Sequence, residues 1–294
     1  MTIQSKKYYL SILAIFKNEA HILEEWINLH LKEGVEHFYL INNDSTDNYM
    51  NIIEKYKDFI SLKQISGNAK QIEAYENFKE QIINETNWIA IIDLDEFVFS
   101  SKKDTQLINY IKDYELKGAQ GIYIPWIMFG SSFYKNQPES VIKNFVYRWL
   151  YSNNSYSGGK CIVNTDYIYN NLSLHFTKLK DNNLYVNFNG EFKFNEWFGG
   201  CPDMNFNENI INDMNIRINH YCIQSEEYFI KVKVSRGDAD RLDNVRDMNY
   251  FKNYDKNEVL DELLQKKYDK KEVLDEILQK KYDKKEVLDE ILQK

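Results

Sequence analysis

Ile91 to Phe97, IIDLDEF, carry the strongest chemical signal in this chain of 294 residues. An apolar run that reads as a buried strand, Trp88–Ile92, ends directly at Asp93. Asp93 and Asp95, separated by one residue, can set hard oxygen ligands on a divalent cation, which can bridge the phosphates of a nucleotide diphosphate. An acidic chain also throws up such pairs by chance, as at Asp238-Ala239-Asp240, where no apolar strand precedes. The plain alternative for Asp93 and Asp95 is a solvated turn at a strand end. A second polar cluster, Asn42-Asn43-Asp44-Ser45-Thr46-Asp47, and a third, Lys17-Asn18-Glu19, also follow apolar strands. Residues of these types can bond a nucleobase or ribose, or can cap the next helix.

These clusters need a scaffold that brings strand ends together. Tyr8–Phe16, His37–Ile41, Ser61–Ile65 and Trp88–Ile92 read as strands, and Ala20–Glu33, Met50–Phe59 and Ile72–Asn84 as amphipathic helices. Strand and helix alternating over short links predict an α/β fold with a mainly parallel sheet, right-handed crossovers and flanking helices. Ligands of such sheets sit at the carboxyl ends of the strands, which makes the three polar clusters neighbours around one site. Beyond Ser100 the pattern is mixed and aromatic-rich, with Gly158-Gly159 and Gly199-Gly200 marking loops.

Composition limits the function. With 43% hydrophobic residues the chain can bury a sizeable core, and its length corresponds to about two domains. Thirty-seven basic against 45 acidic side chains, net -8, exclude a polyanion groove as the main feature, so nucleic acid is not an expected partner. Cys161, Cys201 and Cys222 are odd in number and scattered, which fits a reducing compartment better than a disulfide framework. No apolar stretch approaches the ~18 residues of a membrane span, and Tyr8–Phe16 is too short for a signal peptide. A cytoplasmic protein is expected, with a peripheral place at the inner face of the membrane as the variant.

The C-terminal residues form a separate unit of period 14, opened by Tyr254, Tyr268 and Tyr282. Val259, Leu260, Leu263, Leu264 and Tyr268 share one helical face, and Glu262–Lys266, Glu276–Lys280 and Glu290–Lys294 are favourable i,i+4 pairs. No Gly or Pro follows Gly237, which favours one long, self-associating helix, with a coiled coil absorbing the drift of the repeat. Lys267 and Lys271 interrupt a strict seam. Capping boxes at Asp255-x-x-Glu258 and its repeats would instead start three short helices. The expected domains are 1–250 and an oligomerising tail, 251–294.

In order, FKNEAHILEEW, NNDSTD and WIAIIDLDEF resemble a GT-A-fold glycosyltransferase of the family 2 type, closer still to the family 92-like branch that carries D-x-D-E-F. IMFGSS, GGKCIV, the His175-Phe176 pair and INHYCIQSEEYFIKVKVSRGDAD extend the similarity from about Ser11 to Asp240. The resemblance implies a Rossmann-like GT-A domain, a nucleotide-sugar donor, usually UDP-linked, a glycan acceptor and Mn²⁺ or Mg²⁺. It makes Asp95 the direct metal ligand, with Asp93 at the ribose or metal, and Asn18 and Glu19 nucleotide contacts. Asn42 stands where family 2 enzymes usually place an Asp against the base.

The resemblance also asks for a metal-binding histidine from the C-terminal half. His220 is the first choice and His175 the second, while His21, His30 and His37 read as structural or surface residues. Lys160, Lys231, Lys233 and Arg236 are available to neutralise a leaving diphosphate, Lys231 being the most ordinary surface charge. A carboxylate is wanted to take the acceptor's proton; Glu196, Glu191 and Glu96 are the candidates. Trp126, Phe129, Trp197 and Phe198 could stack on an acceptor sugar or pack the core. The implied reaction is inverting hexosyl transfer to a sugar hydroxyl in lipopolysaccharide or capsule synthesis. Two alternatives are weaker. A D-x-D phosphatase wants Thr or Val where Phe97 stands, and a non-catalytic scaffold on a GT-A-like domain would leave Asp95 without a role.

Overall fold

The computed structural model of the chain describes residues 5–152, 158–180, 184–194, 206–234, 239 and 246–268. The expected alternation is present at the start. β1 (Tyr8–Phe16), β2 (His37–Asn43), β3 (Ile60–Ile65) and β4 (Thr86–Ile91) are joined by α1 (Ala20–Lys32), α2 (Tyr49–Lys55) and α3 (Gln71–Glu85). β1 and β2 are covered on both faces, so both read as unbroken apolar runs rather than alternating ones. α1 turns Ile22, Leu23, Trp26, Ile27 and Leu29 inward at helical spacing. His30 is buried with them: its Nδ1 donates to the Trp26 carbonyl (2.8 Å) and its Nε2 accepts from the Val98 N–H (3.2 Å). Burial pushes its pKa down to about 3, so the ring is a neutral structural element.

β3, β2, β1 and β4 lie side by side and parallel. The chain leaves β1 for β2 on one side and returns to β4 on the other. The carboxyl ends of β1 and β4 therefore open onto a topological switch point, where α/β sheets bind their ligands.

The rest of the sheet is mixed, where a mainly parallel one was expected. It is built from β5 (Glu96–Ser100), β6 (Gly121–Met128), β8 (Gly159–Asn164), β9 (Tyr185–Asn187), β10 (Phe192–Phe194) and β11 (Ile216–His220). Between them lie α4 (Leu107–Leu116), α5 (Val141–Asn144), the two-residue β7 (Tyr147–Arg148) and α6 (Glu208–Asp213). β8 runs antiparallel between β4 and β6, and β11 pairs antiparallel with β5 and parallel with the far end of β6. A parallel return normally uses a crossover helix, and α5 is only four residues long. The reversal has a consequence for the site, because the first residues of β8 lie beside the carboxyl end of β4. On its other side Gly159 packs closely on β6: a Cβ there would lie 2.3 Å from the Ile124 carbonyl oxygen.

After β11 a single helical turn, α7 (Glu226–Tyr228), continues as a π-helix over Phe229–Lys233. Then come α8 (Met248–Tyr254), β12 (Val259–Leu260) and α9 (Leu263–Lys267). The first repeat copy is thus not the continuous helix expected from Tyr254; it is extended at its centre, and β12 pairs antiparallel with β7. Tertiary contacts override helix propensity here. Asp261 Oδ2 holds both Arg148 (2.8 Å) and Arg217 (2.5 Å). Lys267 Nζ reaches the buried Glu33 carboxylate (2.7 Å), and Leu264 and Tyr268 enter the main core at 2% exposure each. The Asp255 capping box is not formed either, since Asp255 Oδ1 accepts from the Ser131 N–H. Beyond its opening Tyr268 the second copy, and all of the third, lie outside the described residues. Among the described residues no helix is long and apolar enough to cross a membrane.

Candidate active site

At the switch point the structure forms a cavity of about 190 Å³. Its walls include Glu19 after β1, Asp93 and Asp95 after β4, Lys160 of β8, His220 at the end of β11 and Lys233 at the end of the π-helix. Gln71, Trp126, His175 and Arg246 complete much of the lining. The turn between β4 and β5 is fixed through its backbone. Trp26 Nε1 donates to the Glu96 carbonyl (2.8 Å) and the Tyr221 N–H to the Asp95 carbonyl (2.8 Å). Antiparallel pairing of β11 with β5 sets His220 directly opposite Glu96.

Charges alternate across the cavity. Lys160 Nζ sits 2.8 Å from Asp93 Oδ2 and 3.7 Å from Glu96 Oε1. Lys233 Nζ bridges Glu19 Oε1 (3.0 Å) and Asp95 Oδ2 (2.9 Å). His220 Nε2 lies 3.5 Å from Asp95 Oδ1. Burial opposes the ionisation of Asp95, but Lys233 and His220 outweigh it and hold the carboxyl well below the usual range. Asp93 is only half-buried, with 34% of its side chain exposed; desolvation there opposes ionisation, but Lys160 brings its pKa below the ordinary value. Burial pushes Glu96 well above the usual range against the pull of Lys160, with Asp93 and Asp95 adding to the rise.

Asp95, Glu96 and His220 offer ligand atoms within 4.8 Å of one another. Glu96 Oε1 is buried without a hydrogen-bond partner, which a cation at this point would supply. The residues therefore fit a divalent metal. Asp93 stands beside this triad, with Lys160 and Gln71 Nε2 (3.2 Å) on its carboxylate.

The other expected residues are placed as follows. Asn18, in a left-handed conformation (φ 55°), accepts from the Thr46 N–H through Oδ1 (2.7 Å). Asn42 is buried and accepts from the Ser45 N–H through Oδ1 (3.0 Å), while its Nδ2 donates to Tyr49 (3.1 Å). Both side chains order the loop after β2, and neither lines the cavity. Asp47 of that loop caps α1 by accepting from the Ala20 N–H (2.8 Å). Glu191 is exposed, its carboxylate accepts from Asn187 Nδ2 (3.0 Å), and it too lies off the cavity. Lys231 is exposed and paired with Glu227, and Phe129 belongs to the core. Glu196, Arg236, Trp197 and Phe198 lie outside the described residues. Sequence reasoning missed Glu96 as a ligand, together with Gln71 and Arg246. The D-x-D-E spelling held the signal for Glu96, whereas Gln71 opens a helix and Arg246 follows no motif.

A glycosyltransferase family 92 protein of Ricinus communis is 25% identical over 190 residues, 62% of this chain, which spans 34% of that relative's length. Among solved structures, S. aureus TarS 1-349 in complex with UDP covers 53% of this chain and 47% of its own at 16% identity, TM-score 0.37. HddC from Yersinia pseudotuberculosis covers 62% of this chain and 89% of its own at 13% identity, TM-score 0.35. The profile "Glycosyltransferase family 92" matches residues 6–280, from the threshold of β1 into the second repeat copy, and on that match the chain belongs to glycosyltransferase family 92.

Proposed function

We propose that the chain is a metal-dependent, inverting glycosyltransferase that moves a hexose from a UDP-linked donor to a sugar hydroxyl in lipopolysaccharide or capsule synthesis. The observation that carries this reading is the cluster of Asp95, Glu96 and His220 facing Lys160 and Lys233 across one switch-point cavity. Asp95, Glu96 and His220 would hold Mn²⁺, or Mg²⁺ in its place, and the bound ion supplies positive charge for the departing diphosphate. Lys160, Lys233 and Arg246 add fixed cations on the same cavity walls, and Arg236 is proposed as a further one. Trp126, in contact with the rings of His175 and His220, forms an aromatic wall against which a sugar can stack.

The acceptor hydroxyl must lose a proton as the glycosidic bond forms. Glu196 remains the proposed base. His175 is the alternative that the geometry offers: Nδ1 lies 3.2 Å from the Gly159 carbonyl oxygen, so that nitrogen carries the hydrogen and Nε2 is the basic one. Asn18, Glu19 and Asn42 support the proposed nucleotide side by shaping the ends of β1 and β2. The second and third repeat copies are proposed to self-associate. The buried free thiols of Cys161 and Cys222 suit a reducing cytoplasmic side, where the inner face of the membrane would present the acceptor.

Incubating the full chain and Mn²⁺ with a panel of UDP-, GDP- and CMP-linked sugars tests the proposal. Slow, acceptor-independent release of UDP from one or two UDP-hexoses is expected. Release from GDP- or CMP-sugars alone would overturn the donor assignment, and release from none would overturn the activity.

A further inference from the structure

Lys233 occupies an unusual position for a cation in a metal-binding cavity. Its ammonium bonds Oδ2 of Asp95, whose Oδ1 faces His220 of the ligand triad (3.5 Å). It is held there from behind: Glu19 Oε1 accepts from both Lys233 Nζ (3.0 Å) and the Tyr228 hydroxyl (3.0 Å). Lys233 is 5% exposed and ends the π-helix, a widened turn of the kind found at functional sites. One carboxylate thus serves two cations, the ammonium and the proposed metal.

Resting on the function proposed above, we infer that Lys233 couples metal binding to diphosphate binding. Two positive charges on Asp95 repel each other, so the ammonium weakens the affinity of the free protein for Mn²⁺. A nucleoside diphosphate entering the cavity supplies negative charge to both and removes the conflict. The metal and the nucleotide then strengthen each other's binding by the same factor, beyond their direct contact. Glu19 is the positioning residue of this device, because it shares the ammonium with Asp95 and draws part of its charge away from the metal site.

The test is Mn²⁺ binding by the full chain, read from the free-ion signal in electron paramagnetic resonance. It is measured with and without UDP, after subtracting the Mn²⁺ that UDP alone binds. Lys233→Gln is expected to bind Mn²⁺ alone about tenfold tighter than the unaltered protein, and its UDP enhancement is expected to fall by about the same tenfold. Glu19→Gln is expected to act in the opposite direction, weakening Mn²⁺ binding, because Lys233 then directs more of its charge to Asp95. A purely structural role would loosen binding in both variants. Equal or weaker Mn²⁺ binding in Lys233→Gln, with the unaltered protein binding normally, overturns the coupling alone. Absence of Mn²⁺ binding in every folded form, with or without UDP, overturns the metal-dependent reading itself and the coupling with it.

Discussion

A chain ending at residue 253 is expected not to fold cooperatively, whereas one ending at residue 268 keeps the stability of the whole. The shorter chain loses Leu264 and Tyr268 from the main core. Removing a large buried side chain costs about 2–5 kcal/mol. It also strips Glu33 of Lys267 and Arg217 of Asp261, and breaking a buried ion pair costs about 3–5 kcal/mol. Arg148 keeps its two bonds to Glu208 (2.8 and 2.7 Å), so its loss is smaller. Together these costs match or exceed the whole margin of a typical domain, about 5–15 kcal/mol. The longer chain retains every one of these contacts, and its melting temperature is expected to fall by no more than about 4 °C. Urea titration and thermal melting of the two chains decide the matter. A cooperative transition in the 253-residue chain would contradict the packing of the first copy. Light scattering on the 268-residue chain reads the tail separately: an unchanged mass would contradict its proposed role in self-association.

Asp95→Asn is expected to lower donor turnover, as kcat/KM, by at least about a hundredfold, because a metal ligand supplies several kcal/mol of transition-state stabilisation. The substitution keeps the shape of the side chain but removes the charge that faces Lys233 and His220. Lys233 would still have Glu19 as partner, so the fold is expected to survive, with a native far-UV spectrum. The two effects separate chemistry from stability. Turnover at the unaltered rate in a folded Asp95→Asn protein would leave the triad without a catalytic role.

The first ninety residues were legible because β1, β2 and β4 are almost wholly buried, the edge strand β3 alone being part-buried, and their helices carry regular apolar stripes. The ends of β1 and β4 then followed from topology alone, and with them Glu19, Asp93 and Asp95. His220 and Lys160 were found through family resemblance, and the antiparallel β8 that delivers Lys160 could not be read from local periodicity. Asn42 and Asn18 show the limit of strand-end reasoning: small polar side chains there spend their hydrogen bonds on the loop itself. The repeat misled for a different reason. Its helical stripe is real, yet Asp261 and Lys267 find buried partners more than forty residues away in sequence, and those pairs outweigh a local helix. Asn257 makes the first copy distinctive. Its Oδ1 accepts from the Ser132 N–H (2.7 Å), a bond that Lys271 at the same place in the second copy cannot make.

Calorimetric titration of UDP into the full chain is the decisive test of a metal-assisted nucleotide site at the ends of β1 and β4. The titration is run with and without Mn²⁺, alongside GDP and CMP. UDP is expected to bind only with Mn²⁺ present, and neither GDP nor CMP is expected to reproduce that binding. A folded chain that binds none of the three nucleotides, with or without Mn²⁺, would contradict such a site.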